Sequence, residues 1–215
     1  MTQNYNVDVD FLFPTLVGRS YLLNSESINN RLAQFILESM RTARDVSNAT
    51  TVNQGWQSPL GFLNHDLAEI KTLRAFINQS IESFLPQYGK VNHSIEAPPQ
   101  FSYSYESWAV VLNQGGFQHE HTHTRTDFVG VYCVAIPPLD EANQQNGNLT
   151  LLDPRAGRLA TRPSWEAPHA PIVPTPGCLV LFPSYLPHRV DCVTTNGNRI
   201  TINFDVTLTP IQTNL

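Results

Sequence analysis

Two stretches with helical spacing open the chain, and a series of two-residue alternations closes it. Ile28, Leu32, Phe35, Ile36 and Met40 recur at three- and four-residue intervals behind Ser25 and Ser27, either of which suits a helix N-cap. Asp66 opens a second such stretch, with Leu67, Ile70, Leu73, Phe76, Ile77, Ile81 and Phe84 along one face. Pro86 lacks a backbone N–H and is expected to stop this helix. Both apolar stripes read as faces that pack on a sheet and carry no chemistry. Residues 11–22 read as a short strand pair broken by Pro14 and Gly18, and residues 46–64 as a polar, turn-rich segment around Trp56.

From Phe101 the period shortens. Phe101–Asn113 is rich in aromatic and β-branched residues and is expected to end at Gly115-Gly116. Phe128–Val134 is apolar at nearly every position, the pattern of a strand buried on both faces. A loop runs from Pro137-Pro138 to Gly147, and Asn148–Leu152 reads as a short strand. Residues 153–176 are Pro-rich and irregular. Gly177–Phe182, His188–Val193 and Arg199–Leu208 complete the strands. Strands in series behind two helices, without βαβ alternation, predict a mainly β fold with flanking helices, an antiparallel sandwich or barrel. The expected organisation is a single domain over 1–215, with helical support in 1–95 and a β core in 100–210.

Composition narrows the function classes. The chain has 215 residues, 14% of them charged, and a net charge of −5. With no basic run to displace counterions, nucleic acid is not an expected partner. The start shows no basic n-region followed by an apolar run, and nowhere are there about 18 consecutive apolar residues, so neither a signal peptide nor a membrane span is expected. Cys133, Cys178 and Cys192 are odd in number and lack C-x-x-C spacing, so they read as buried free thiols of a reducing, cytoplasmic compartment. A phage or bacterial origin is compatible with this, and so is an oligomer.

The candidate chemistry sits in Phe117-Gln118-His119-Glu120-His121-Thr122-His123, where three of seven histidines fall on alternate positions. On a strand, alternate side chains share a face roughly 6.6 Å apart, so two imidazoles can reach one metal ion. Imidazole suits iron, zinc, copper and nickel alike, and a His-rich strand end can also be merely solvated. His188 follows about 65 residues later, after an apolar stretch, and Arg199 about ten residues beyond that. In the last strand Ile200, Ile202, Phe204, Val206 and Leu208 form one face; Arg199, Thr201, Asn203, Asp205 and Thr207 form the other. If the sheet is one wall of a closed sandwich, Arg199 points inward and needs an anion, for which a bidentate carboxylate is the natural partner.

This conjunction resembles the iron(II)/2-oxoglutarate dioxygenases, and within them the 2OG-Fe(II) oxygenase family of marine bacteria and cyanophages. The matching segments are Phe13-Pro14-Thr15, Gly55-Trp56-Gln57-Ser58, His121-Thr122-His123, Val129-Gly130-Val131-Tyr132-Cys133, Asp153-Pro154-Arg155, Pro174 through Val190, and Arg199-Ile200-Thr201-Ile202-Asn203-Phe204-Asp205. The segment 174–205 carries the specificity; Phe-Pro-Thr alone carries none. The resemblance implies a double-stranded β-helix (a cupin-like jelly roll) backed by the two N-terminal helices. It implies iron(II) on His121, His123 and His188, with His119 outside the metal's ligands, and Arg199 with Thr201 on the far carboxylate of 2-oxoglutarate. The implied activity uses O2, converts 2-oxoglutarate to succinate and CO2, and hydroxylates a substrate, a small molecule or a peptide, that the sequence does not identify.

Two positions depart from the family pattern. His123 stands where a carboxylate is usual; Glu120 alternates away from His121, and Asp127 is the other carboxylate nearby. Cys133 stands where many relatives place a tyrosine hydroxyl on the cosubstrate, and Val129 replaces a serine. His119, Asn113, Val131, Cys133 and Asn203 are the remaining candidates for the pocket wall. A cupin-like three-His metalloenzyme that uses no keto acid, and a jelly-roll binding module without activity, are the competing readings.

Two rules collide between His188 and Arg199. Asn196-Gly197 is a strong two-residue hairpin signal, and such a hairpin pairs residue 188 with 205. Arg199 would then stand roughly 20 Å along the ladder from the partner of His188, too far for one five-carbon diacid to span. A jelly roll removes the conflict by letting the chain cross to the facing sheet. The expectation is that the His188 strand pairs with the strand leading into His121, that Arg199–Thr207 lies in the opposite sheet with Arg199 inward, and that 191–198 is a crossing loop.

Overall fold

The structure, a computed structural model, describes residues 13–43, 51–92, 101–138, 140–143, 145–155 and 163–211. In chain order the elements are β1 (Gly18–Tyr21), α1 (Glu26–Thr42), β2 (Val52–Gln57), a 3-10 turn (Phe62–Asn64), α2 (Ala68–Asn92), β3 (Phe101–His121), β4 (Phe128–Ala135), β5 (Leu149–Leu152), β6 (His169–Ile172), β7 (Cys178–Pro183), β8 (His188–Val190) and β9 (Arg199–Pro210). The strands form one antiparallel ladder in the order β1-β7-β4-β9-β3-β8-β5-β6, with β2 also paired to β3. The ladder curls on itself as a jelly roll because β3 belongs to both walls. Its first half pairs with β9, from Phe101 opposite Pro210 to Leu112 opposite Arg199. Its last turn pairs with β8, with Gln118 opposite Val190 and His121 opposite His188.

The helices cover the outer face of one wall. Leu32 and Ile36 of α1 and Ile70, Leu73, Ile77 and Ile81 of α2 are buried against Tyr132, Leu181, Ile202 and Phe204 of the sheet. Ser25 is the N-cap residue of α1, but its hydroxyl accepts from the Asn29 amide at 3.3 Å instead of capping the helix. Asn29 in turn accepts the Tyr132 hydroxyl at 2.7 Å, which ties α1 to β4 through a buried polar pair. Tyr132, Phe204 and Ile202 face the helices, so their neighbours Val131, Asn203 and Thr201 face the interior. A second apolar cluster, including Val129, Leu149, Leu151, Val180 and Phe182, joins the two walls from inside.

Several expectations fall where two rules compete. Pro86 does not stop α2, which continues to Asn92 with Pro86 exposed. Packing beyond the proline outweighs the lost hydrogen bond: Tyr88 lies edge-on to Phe128 at 4.9 Å and tilted against Phe84 at 5.9 Å. Gly115-Gly116 bends β3 without ending it. The Gly115 N–H donates to Val193 and the Val193 N–H to Gly116, so the loop after β8 takes over the ladder there. A side chain at Gly116 would meet the backbone of Gln54 and Asn113. The expected strand pair over 11–22 is the single strand β1 at Gly18–Tyr21, and residues 11 and 12 lie outside the described part. β2 and β6 arise in segments read as turn-rich and irregular; both complete edges of the ladder, with β2 on β3 and β6 on β5. Residues 191–198 form the crossing loop, and β8 pairs with β3 and β5 while β9 pairs with β3 and β4. Cys133 and Cys178 are buried free thiols, but Cys192 is exposed because it lies in that loop. Among the described residues no helix is long and apolar enough to cross a membrane.

Gly130 supplies a test of this packing. It lies opposite Phe204 on the helix-facing side, and a Cβ there would overlap the phenyl ring. Gly130→Val is expected to lower unfolding stability by at least about 2 kcal/mol through overpacking. Adding Phe204→Ala makes room, so the double variant should lose less than the two single losses combined, measured by urea unfolding. Strict additivity would contradict the packing described.

Candidate metal and anion site

His121 ends β3, His188 begins β8, and the two are paired residues on adjacent strands. His123 follows in the connection to β4, which three hydrogen bonds tie to Ser184: His123 N–H to the Ser184 carbonyl at 3.1 Å, Ser184 N–H to the Asp127 carbonyl at 3.0 Å, and the Ser184 hydroxyl to the Thr126 carbonyl at 2.6 Å. Thus the turn after β7 anchors the segment carrying His123. One ring nitrogen from each of His121, His123 and His188 lies within 4.8 Å of the other two. The ring centroids are 4.3 Å apart for His121 and His188 and 5.2 Å for each pair with His123.

The orientation of all three rings is fixed from behind. His121 Nδ1 donates to the His119 carbonyl at 2.6 Å, His188 Nδ1 to the Leu186 carbonyl at 3.0 Å, and His123 Nδ1 to Asp205 Oδ1 at 2.6 Å. Each acceptor places the proton on Nδ1 and leaves the lone pair on Nε2. The Nε2 atom of His123 is buried and without a hydrogen-bond partner. A buried acceptor left unpaired is costly, and a cation between the rings would satisfy it. Burial pushes His188 down to about 3, with the neighbouring His121 adding to the effect, and burial also lowers His121. Both rings are therefore neutral at pH 7, the form that ligates metal. The donor set fits a first-row divalent ion such as iron(II).

Trp108 stacks on His123, with centroids 5.9 Å apart and ring planes 19° apart, and Phe182 meets His188 edge-on at 4.9 Å. The rings open into a cavity of about 370 Å³, a size that fits small-molecule ligands. Its rim includes Thr51, Gln57, Thr122 and Thr124, and its floor reaches Arg199.

Arg199 is 2% exposed. Its Nε donates to the Gly147 carbonyl at 2.8 Å, and Nη1 lies 3.5 Å from the Thr201 hydroxyl, so the guanidinium leans along β9 toward the histidines. Among the described residues no carboxylate pairs with it. Burial disfavours its charge, yet guanidinium keeps its proton in proteins, so Arg199 is a buried cation with no carboxylate in contact with it. Asn203, also buried and lining the cavity, has its side-chain oxygen unpaired.

The structure thus brings together His121, His123, His188, Arg199, Thr201 and Asn203, with Val131 on the wall. Cys133 sits deeper, beside Arg199; burial raises its thiol to about 12, against the opposing pull of that guanidinium. His119 contributes only its carbonyl; its exposed ring packs on Phe117. Asn113 is exposed and does not line the cavity, because it alternates with Ala109 and Val111 on the face opposite to Trp108, Val110 and Leu112. Glu120 is exposed, and the Asp127 carboxylate accepts the Leu208 N–H instead of facing the histidines. Sequence reasoning placed Asp205 on the inward face but gave it no role. The signal was available: it is the only acidic residue on that face of β9.

His188 gives the metal-free protein a pH dependence. The unfolded residue takes a proton near its ordinary 6.5, the folded one only near 3. Between these values the unfolded chain binds more protons, so stability falls as pH is lowered from about 6.5 toward 3. His188→Asn keeps a donor for the Leu186 carbonyl and should lose part of this slope in urea unfolding between pH 7 and pH 5. An unchanged slope would contradict the assignment.

Residues 106–205 match the model of the family described as "Putative 2OG-Fe(II) oxygenase". No curated protein sequence matches the chain. Among solved structures, the chain is similar to a prolyl-4-hydroxylase of Pseudomonas putida, with TM-score 0.54 at 16% identity over 89% of this chain and 91% of that one. It is similar to a prolyl hydroxylase of Trichoplax adhaerens, with TM-score 0.58 at 14% identity over 89% and 83%. It is also similar to the carbocyclase SnoK of nogalamycin biosynthesis, described as non-heme and alpha-ketoglutarate dependent, with TM-score 0.59 at 11% identity over 90% and 81%. At these identities the structural likeness is one of fold. The chain is a jelly-roll protein whose stretch from Glu106 to Asp205, which holds the three histidines and Arg199, matches the 2OG-Fe(II) oxygenases in sequence.

Proposed function

We propose that the protein is an iron(II)- and 2-oxoglutarate-dependent dioxygenase that hydroxylates its substrate. One observation carries the reading: a buried arginine without a carboxylate partner shares a cavity with three histidines whose free nitrogens converge. A dianionic keto acid satisfies both ends. His121, His123 and His188 would hold iron(II), and Arg199 with Thr201 would receive the far carboxylate. Bound iron(II), with 2-oxoglutarate and O2, would supply oxidation coupled to decarboxylation of the keto acid to succinate.

The chain's own residues orient and exclude. The carbonyls of His119 and Leu186 and the Asp205 carboxylate fix the imidazoles. Phe182 and Trp108 keep water from two of the rings. Cys133 stays a neutral thiol and places no anion beside Arg199. The polar rim at Thr51, Gln57 and Thr122 faces the incoming substrate, a small molecule or a peptide. Buried free Cys133 and Cys178 suit a cytoplasmic protein.

The reading is tested by succinate formation from 2-oxoglutarate with iron(II), ascorbate and air. The wild type should form succinate even without substrate, by slow uncoupled turnover. His121→Ala should lose iron and activity, whereas His119→Ala should keep iron, because only the carbonyl of that residue is used. Arg199→Ala should raise the 2-oxoglutarate requirement on the order of 100-fold, the scale of one lost partner in a buried charge pair. Its iron affinity should change little, and Arg199→Lys should recover part of the loss. A protein that binds iron but forms no succinate would be a three-histidine metalloprotein of another kind. Equal loss of iron and keto-acid binding in Arg199→Ala would make Arg199 structural.

A further inference from the structure

We infer that Asp205 is a positioning residue that makes His123 an anionic ligand unit, restoring at one remove the carboxylate that position 123 lacks. The inference rests on the metal reading above. The three imidazoles are held differently: His121 and His188 by neutral backbone carbonyls, His123 by a carboxylate at 2.6 Å. Among the described residues His123 is the one ion-pair partner in contact with Asp205. The pair is mostly shielded, the His123 side chain being 12% and the Asp205 side chain 26% exposed, so solvent screens it only in part. Trp108 stacks on the same ring, leaving His123 little freedom to rotate. The opposite nitrogen of that ring is the buried atom without a partner.

These contacts have one chemical consequence. A carboxylate accepting from Nδ1–H raises the electron density at Nε2 and so strengthens that nitrogen as a ligand; outer partners of this kind are worth about 10–100-fold in metal affinity. They also settle the local charge. The negative charge of Asp205 stands against the unpaired Arg199 in the same cavity, so the metal and guanidinium together present less excess positive charge to the keto acid.

Position 205 is therefore coupled to position 123, and the coupling can be measured without turnover. Cobalt(II), which does not react with air under mild conditions, serves as the probe, by calorimetry and by its visible spectrum. Asp205→Asn preserves shape and should weaken cobalt(II) binding about 10–100-fold, with an altered spectrum of the bound ion. In a His123→Asp background the ring is gone and position 123 itself supplies the carboxylate. There Asp205→Asn should leave affinity unchanged or raise it, because two adjacent carboxylates repel. Equal affinity of wild type and Asp205→Asn would overturn the inference while leaving the metal site intact. An equal fall in both backgrounds would overturn it too, by showing that Asp205 only supports β9. A wild type that binds no cobalt(II) or iron(II) would overturn the metal reading itself.

Discussion

Arg199 is the constraint around which the molecule is arranged. A guanidinium with 2% exposure and no carboxylate beside it is expensive to bury, and its donors need polar partners inside the fold. β9 makes the burial workable. Its alternate residues Ile200, Ile202, Phe204 and Val206 are sealed under the two helices, and this packing fixes which face of the strand turns inward. Gly147 takes one guanidinium N–H, and the left-handed backbone at that residue brings its carbonyl close. The remaining donors lean along the strand toward Thr201 and the histidines. The metal end of the cavity is built by the other wall, and β3 connects the two by pairing with β9 first and β8 afterwards.

Much of this was legible in the sequence. The apolar stripes of α1 and α2, the doubly buried β4 and the two-faced β9 are periodicity signals that tertiary packing reinforces. The crossing loop was legible as well: the hairpin signal at Asn196-Gly197 conflicted with the reach of a diacid, and in the structure His188 pairs with His121 and Leu151 instead of Asp205. The failures share a cause. Pro86 and Gly115-Gly116 are strong local breakers, but Tyr88 packing on Phe128, and Val193 bridging to Gly115 and Gly116, are contacts between residues distant in sequence. β2 and β6 lack alternation because few of their side chains are buried, so no core face imposes a two-residue period on them. Asn113 was misplaced because it shares the parity of Ala109 and Val111, which face the helices, and not that of Trp108, whose ring meets His123.

The site shows the same division. His121, His123, His188 and Arg199, picked out by residue type, spacing and the family resemblance, line one cavity in the structure. Asp205 was not given a role, since its contact with His123 joins residues 82 apart in sequence. A histidine in place of a carboxylate looks, in sequence, like lost charge. In the fold a carboxylate, Asp205, stands directly behind that ring at 2.6 Å, whereas backbone carbonyls stand behind the other two.

The central claim is that the three histidines and Arg199 bind the two ends of one keto acid. Anaerobic addition of iron(II) and then 2-oxoglutarate tests it most directly. If the account holds, a visible charge-transfer band of the chelated keto acid will appear and saturate, and Arg199→Ala will move its midpoint to much higher 2-oxoglutarate while leaving the band itself. If iron(II) binds and no band appears at saturating 2-oxoglutarate, the cavity joins these residues for some other ligand and the account is wrong.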